Sequence, residues 1–251
     1  MTHSGQLSGW QDAWFDGVRH ACFDKDGVLI NVHRYWRHTT RLRAQHIQRR
    51  FELKPECLDG LAEAMGIDER TGRIRPEGPV GLRPRSIVIE SLQRFLAAQG
   101  VKTSADALGQ IFADLDEEQR RHQDYDVAVL PGVGPVLDSL KRRGIMLSLY
   151  TSDRKEHAHA ILARASLDAY FATLVGGGCV THPKPDPEGF VLACQRVNVK
   201  PADSVYISDT AEDLRMGLAG GARKVIGVAS GLGTVEALLD VTPHVCQQLG
   251  G

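Results

Sequence analysis

The chain alternates short apolar runs with segments of helical periodicity. The apolar runs cover residues 18–23, 145–150, 173–175, 204–208 and 224–228, and helical segments lie at about 131–144, 154–165, 187–197 and 212–218. Asp153 and Glu156 are spaced like a capping pair for the second of these helices. Strands that alternate with helices favour a parallel sheet covered by helices on both faces. We therefore predict an α/β fold with a doubly wound parallel sheet as its core.

A long polar and helical stretch interrupts this alternation after the first apolar run. Apolar residues recur at helical spacing in residues 56–65, 86–98 and 104–121, whereas residues 71–85 are dense in Gly, Pro and Arg. The first pattern is typical of amphipathic helices, and the second predicts a loop. We interpret residues 31–129 as an inserted helical domain, with the core formed by residues 1–30 and 130–251.

The composition is that of an ordinary globular protein. Hydrophobic residues make up 42%, charged residues 24%, and the net charge is -1, so bulk charge gives no sign of nucleic-acid or membrane binding. No apolar run reaches the roughly 18 residues of a transmembrane helix. Because the N-terminus also lacks a hydrophobic signal segment, we expect a cytoplasmic protein. The five cysteines are widely spaced, which argues against a disulfide framework or a zinc site.

Two acidic residues, Asp24 and Asp26, follow the first apolar run and precede Gly27. Two like charges about 4 Å apart repel by roughly 4 kcal/mol at an effective dielectric constant near 20. Such a pair therefore needs a cation, a proton or separation by water. On this segment alone a simple turn is the alternative, because Asp and Gly are good turn residues. A calcium loop is excluded, since it needs glycine at its sixth position and here glycine is fourth.

The later predicted strands also lead into polar residues. Thr151 and Ser152 follow the second strand, Lys184 lies in the loop after the third, and Asp209 and Asp213 follow the fourth. Taken singly, these residues are consistent with helix caps, a first-turn acid and a solvated loop lysine. In an open parallel sheet, however, ligands bind outside the carboxyl ends of the strands. We therefore expect the whole set to meet in one site.

The residue types of this set fit a phosphate site that holds a divalent cation. The carboxylates of Asp24, Asp209 and Asp213 suit a hard cation such as Mg²⁺. The helix that begins after Thr151 presents backbone N–H groups to an anion, and Lys184 adds a positive charge.

Four segments, in this order, resemble the motifs of the haloacid dehalogenase-like hydrolase superfamily, whose members are mostly magnesium-dependent phosphatases. They are residues 24–27, 147–151, 184–190 and 209–213, and residues 224–231 are similar to the phosphoglycolate phosphatase branch. The insertion stands where that branch has its helical cap. The resemblance implies a Rossmann-like core with an inserted α-helical cap domain, and hydrolysis of a small phosphorylated metabolite.

The resemblance also implies roles for the acidic residues. Asp24 is expected to be the nucleophile that forms an aspartyl-phosphate. Asp26 is expected to be the general acid toward the leaving alcohol and then the general base for water. Asp24, the backbone carbonyl of Asp26 and Asp209 are expected to bind Mg²⁺, and Asp213 to bind the ion or orient a ligand.

Phosphate binding is expected from Thr151, Ser152 and Lys184. In the insertion, Arg83 and Arg85 are candidates to bind a carboxylate or second phosphate of the substrate, because Arg suits bidentate recognition of such groups. An exposed basic loop is the alternative for these two arginines.

Two points stay open at this stage. Ser208 stands where many members of the superfamily have glycine, so its side chain either crowds the loop or adds a hydrogen bond. The same motifs also occur in phosphomutases of the β-phosphoglucomutase type, and a non-catalytic binding protein on this fold is a third alternative.

Overall fold

The computed structural model describes residues 7, 9–81, 83–122 and 124–251. The described residues form two compact units, one within the bounds 1–32 and 127–251 and the other within 33–126. Residues 1–6 and 8 of the predicted core, and residue 82 of the predicted arginine-rich loop, lie outside the described residues.

The strands and helices of the described residues are as follows. The strands are β1 (His20–Phe23), β2 (Ile67–Asp68), β3 (Arg73–Ile74), β4 (Met146–Tyr150), β5 (Thr173–Val175), β6 (Ser204–Ser208), β7 (Lys224–Val228) and β8 (Val245–Cys246). The helices are α1 (Val32–Arg50), α2 (Cys57–Met65), α3 (Arg85–Ala98), α4 (Ala105–His122), α5 (Val133–Arg142), α6 (Lys155–Arg164), α7 (Glu188–Arg196), α8 (Ala211–Ala219) and α9 (Val235–Leu239).

The first unit is built on a six-stranded parallel sheet with the order β5-β4-β1-β6-β7-β8. β1 is central, and its last residue, Phe23, lies opposite Leu149 of β4 and Ile207 of β6. The chain builds the sheet outward from β1 in one direction and then, from β6, in the other. This is the Rossmann strand order, and it confirms the predicted α/β core. The carboxyl ends of β1 and β6 flank the topological switch point, where such sheets bind ligands.

The strands form because their apolar runs are buried on both faces, as is usual for parallel sheets. Every residue of β1 and β6 is buried. Helices α7 and α8 pack through Phe190 and Leu214 against the face that carries Cys22, Tyr150 and Tyr206. The five predicted strands are confirmed, and β8 is an addition of only two residues that the apolar pattern did not reveal.

The second unit contains helices α1 to α4, which bury a core of their own around Ile47, Leu61, Leu92 and Phe112. The prediction of a loop for residues 71–85 is wrong in part. Ile74 of β3 pairs with Ile67 of β2 in an antiparallel hairpin, because both side chains are buried. Among the described residues, no helix of either unit is both long and apolar enough to cross a membrane.

His20, at the start of β1, makes stability depend on pH. It is fully buried, with its Nδ1 3.0 Å from Ser204 Oγ and its Nε2 2.7 Å from Ser148 Oγ. Burial lowers the pKa of His20 to about 4. The unfolded chain binds this proton near pH 6.5, so we expect the free energy of unfolding to fall between pH 6.5 and 4, by about 3 kcal/mol in all.

We expect His20→Gln to remove this dependence. Urea unfolding of both proteins at pH 7 and pH 4.5 should show that the wild type loses about 2 kcal/mol more than the variant over this interval. The other titrating groups are common to both proteins and cancel in the comparison. An equal loss in the two proteins would contradict the assignment.

Candidate active site

Three predicted site residues lie directly after neighbouring strands of the sheet. Asp24 follows β1, Thr151 follows β4 and Asp209 follows β6, and each is at least 92% buried. The backbone N–H of Asp24 donates to the carbonyl of Ile207, and that of Thr151 to the carbonyl of Val175. The sheet ladder thus extends one residue into the site and holds both backbones in place.

Lys184 joins two of the acids. Its Nζ donates to Asp24 Oδ1 at 2.9 Å and to Asp213 Oδ2 at 2.5 Å, and only 9% of its side chain is exposed. The ammonium also lies 5.1 Å from the ring centre of Tyr150 and 5.7 Å from that of Tyr206, close enough for cation–π attraction. Burial alone would lower the pKa of Lys184, but Asp24, Tyr206 and Asp213 raise it well above its usual value. Lys184 is therefore a fixed cation rather than a solvated loop lysine.

Asp213 is oriented by the start of α8. Its backbone N–H donates to the N-cap hydroxyl of Thr210 at 3.3 Å, so the alternative in which Asp209 caps this helix is wrong. Ser208 Oγ donates to Asp213 Oδ2 at 3.2 Å. The serine therefore adds a hydrogen bond, one of the two outcomes expected for this position. Because the same oxygen accepts from Lys184 and Ser208, this arrangement favours an orienting role for Asp213.

Asp209 is enclosed by backbone. The N–H of Leu232 donates to its Oδ2 at 2.7 Å, and a Cβ added at Gly27 or Gly231 would overlap the carboxylate. Gly27 also has a φ of +75°, which favours glycine on its own account. The glycine that follows the two acids in the sequence is thus needed both for the turn and for the close approach of Asp209.

The site contains more buried negative charge than Lys184 balances. Burial raises the pKa of Asp24 to about 6 in spite of Lys184. Burial and the neighbouring Asp24 raise the pKa of Asp209 well above its usual range. Three buried carboxylates around one ammonium leave a deficit of positive charge, and their hard oxygen atoms are the donors that Mg²⁺ prefers. The residues present therefore fit the expected cation.

Asp26 forms an ion pair with a second buried lysine, Lys25. Lys25 Nζ lies 2.8 Å from Asp26 Oδ1 and 3.0 Å from Asp153 Oδ2, and the lysine side chain is 1% exposed. The two acids of the Asp-Lys-Asp-Gly segment are thus separated by pairing with different ammonium groups.

The capping role predicted for Asp153 is wrong: the N-cap of α6 is Arg154, which forms no side-chain cap. The carboxylate of Asp153 pairs with Lys25 instead. No sequence pattern predicted a role for Lys25.

The remaining predicted residues are exposed. Ser152 begins the turn that leads into α6, and Arg83 precedes α3. Arg85, the first residue of α3, places its Nη2 2.6 Å from Asp116 Oδ2. Both arginines belong to the second unit, and their role toward a substrate stays a prediction.

Comparison with known proteins points to one family. A model of the haloacid dehalogenase-like hydrolase family matches residues 18–221. A phosphorylated carbohydrates phosphatase of Thermotoga maritima is 29% identical over 218 residues, which cover 87% of this chain and 88% of that protein. Phosphoglycolate phosphatase 1 of Pseudomonas aeruginosa is 30% identical over 95 residues, 38% of this chain and only 35% of that protein.

A solved structure shares the fold. It is a hydrolase of the same family from Deinococcus radiodurans, crystallised with bound phosphate and sodium. It superposes with a TM-score of 0.64 at 18% identity, over 92% of this chain and 91% of that one. The strand order, the polar residues that follow β1, β4, β5 and β6, and the family match over most of the chain lead to one conclusion. This chain belongs to the haloacid dehalogenase-like hydrolase family.

Proposed function

We propose that this protein is a magnesium-dependent phosphatase that hydrolyses a small phosphorylated metabolite through an aspartyl-phosphate on Asp24. The observation that carries the proposal is the contact of Lys184 Nζ with Asp24 Oδ1 and Asp213 Oδ2. It brings the proposed nucleophilic carboxylate, a fixed cation and a second buried acid together at the switch point of the sheet. The phosphatase names of the two relatives support the same reaction class.

Thr151, Lys184 and the start of α6 bind the phosphoryl group in this proposal. Thr151 Oγ1 accepts a hydrogen bond from the N–H of Asp153 at 3.2 Å, so its hydroxyl hydrogen is left to donate to a phosphoryl oxygen. The ammonium of Lys184 is already desolvated, which strengthens its attraction for a developing negative charge. Ser152 and the backbone N–H groups beyond it complete an anion-binding helix start.

The two aspartates of the first motif divide the chemistry. A carboxylate oxygen of Asp24 attacks phosphorus, and the bond to the leaving oxygen breaks as Asp26 gives that oxygen a proton. Asp26 then takes a proton from water, whose oxygen attacks phosphorus, releasing phosphate and restoring Asp24. Such general acid–base help is typically worth 10²–10⁴-fold, and the covalent step divides one difficult displacement into two.

The expected cation would be held by Asp24, Asp209 and the backbone carbonyl of Asp26, with Asp213 as a ligand or an orienting residue. When bound, Mg²⁺ offsets the negative charge of the phosphoryl oxygens. Arg83 and Arg85 are proposed to bind a further anionic group of the substrate. Arg85 would have to exchange its present partner, Asp116, for that group.

Hydrolysis assays test this proposal. We expect the purified protein to release phosphate from 4-nitrophenyl phosphate and from some members of a panel of phosphorylated metabolites when Mg²⁺ is present, and to stop when the ion is chelated. Release without a bisphosphate activator separates a phosphatase from a phosphomutase. No activity against any ester in the presence of Mg²⁺ would contradict the proposal and leave a non-catalytic binding protein on this fold.

A further inference from the structure

Lys25 is the second buried lysine at the catalytic edge of the sheet. Both its side chain and its backbone carbonyl form polar contacts. Its side chain pairs with Asp26 at 2.8 Å and Asp153 at 3.0 Å. Its backbone carbonyl accepts from the N–H groups of Leu29 at 2.9 Å and Ile30 at 3.0 Å. The turn that carries Asp26 therefore closes on Lys25 through the main chain as well as the side chain.

The lysine connects two catalytic loops. Asp26 lies on the loop after β1, and Asp153 on the loop after the neighbouring strand β4. Asp153 is itself fixed by its backbone, because its N–H donates to Thr151 Oγ1 at 3.2 Å and its carbonyl accepts from the N–H of Gly177 at 2.9 Å. Lys25 thus fixes Asp26 relative to the loop that carries the phosphate-binding Thr151.

Fold stability alone does not call for a charge at this position. Burying an ammonium is costly because it loses its hydration, and apolar side chains of similar volume are often as stable as a buried ion pair. Asp26, in contrast, has 32% of its side chain exposed and would turn more freely without a partner. A hydrogen bond to a charged group is stronger than one between neutral groups, and the contact with Lys25 therefore favours one orientation of this carboxyl group.

We propose that Lys25 is a positioning residue, which holds the carboxyl group of Asp26 in the orientation that passes its proton to the leaving oxygen. The inference rests on the proposed function. In that step the bond from Asp24 to phosphorus forms, the bond from phosphorus to the leaving oxygen breaks, and the proton of Asp26 moves to that oxygen. Lys25 keeps its own protons throughout.

The test compares leaving groups. Phenyl phosphate needs a proton on its departing oxygen more than 4-nitrophenyl phosphate does, and kcat/KM measures the barrier from free enzyme and substrate to the transition state. We expect Lys25→Met to lower kcat/KM for phenyl phosphate by at least about 10-fold more than for 4-nitrophenyl phosphate. The matched control is Arg143→Met, which removes an exposed pair with Asp16 and should leave both values unchanged.

A second variant separates positioning from stability. Lys25→Met leaves Asp153 without its partner ammonium, whereas Lys25→Met combined with Asp153→Asn also removes that charge. We expect the double variant to recover thermal stability and to keep the selective loss on phenyl phosphate. An equal loss on both substrates, or recovery of activity in the double variant, would overturn the role of Lys25. If the wild type hydrolyses neither ester with Mg²⁺, the proposed function fails first and this inference fails with it.

Discussion

Replacing Asp24 by Asn is expected to abolish hydrolysis and, at the same time, to stabilise the metal-free protein. The loss of activity follows from the proposed role, because an amide cannot form the aspartyl-phosphate. Removing a catalytic nucleophile from other hydrolases costs several orders of magnitude in kcat, and we expect a loss of at least about 10⁴-fold on 4-nitrophenyl phosphate with Mg²⁺ present.

The gain in stability follows from the pKa of Asp24. The folded protein raises this pKa to about 6, whereas the unfolded chain has an ordinary value near 3.9. The folded state therefore binds the proton more tightly, and the free energy of unfolding decreases as the pH rises from about 4 through 6. At pH 7 the charged carboxylate costs the metal-free fold about 2–3 kcal/mol, which Asp24→Asn should recover.

Chemical unfolding in the presence of a chelator, at pH 7 and at pH 4, measures this effect. The stability difference between Asp24→Asn and the wild type should be present at pH 7 and vanish near pH 4. Asp16→Asn is the matched control, since its side chain is 77% exposed and surface changes are usually within about 0.5 kcal/mol. A destabilised Asp24→Asn protein at pH 7 would contradict the surplus of negative charge.

Replacing Lys184 by Met is expected to have the opposite effect on stability. The change leaves Asp24 and Asp213 buried without their shared ammonium, and breaking a buried ion pair typically costs about 3–5 kcal/mol. Activity should also fall by about 10³-fold, because one of the groups that stabilise the phosphoryl charge is lost.

The loss of stability in Lys184→Met should itself depend on pH and on Mg²⁺. Without the ammonium the acids bind protons still more tightly, so lowering the pH toward 5 should restore part of the stability, as should added Mg²⁺. Thermal unfolding at pH 7 and pH 5, with and without the ion, measures both effects. Lys200→Met, at an exposed lysine, is the control. A Lys184→Met protein as stable as the wild type at pH 7 would show that the ammonium is not needed to balance the acids.

The sheet could be predicted from the sequence because its strands are buried on both faces. Continuous apolar runs such as residues 204–208 indicate a strand even without alternation, and the structure begins and ends β6 at the same residues. Each strand of the β2–β3 hairpin has only two residues, and so does the last strand, β8. Their existence depends on partners elsewhere in the fold, so local patterns do not reveal them.

The site could be predicted in part by the same reasoning. The rule that ligands bind at the carboxyl ends of strands predicts that Asp24, Lys184 and Asp213 lie together, and the distances around Lys184 agree. The sequence did not predict the pairing of Lys25 with Asp153. That pairing depends on the register of β1 and β4, which the spacing of residues within one segment does not reveal.

The position of two tyrosines beside Lys184 could not be predicted, for a similar reason. Tyr150 and Tyr206 belong to apolar strand runs, and their spacing is equally typical of core residues. Only the fold shows that both rings lie beside the ammonium at the end of the sheet.

Trapping the phosphorylated enzyme tests the central claim most directly. Phosphate-labelled substrate would be mixed with the protein and Mg²⁺, quenched in acid within a single turnover, and the acyl phosphate reduced with borohydride before peptide mass analysis. The proposed mechanism predicts label on the protein and conversion of Asp24 to homoserine, with neither in Asp24→Asn. Label on another residue, or complete release of phosphate with no labelled protein at any quench time, would contradict it.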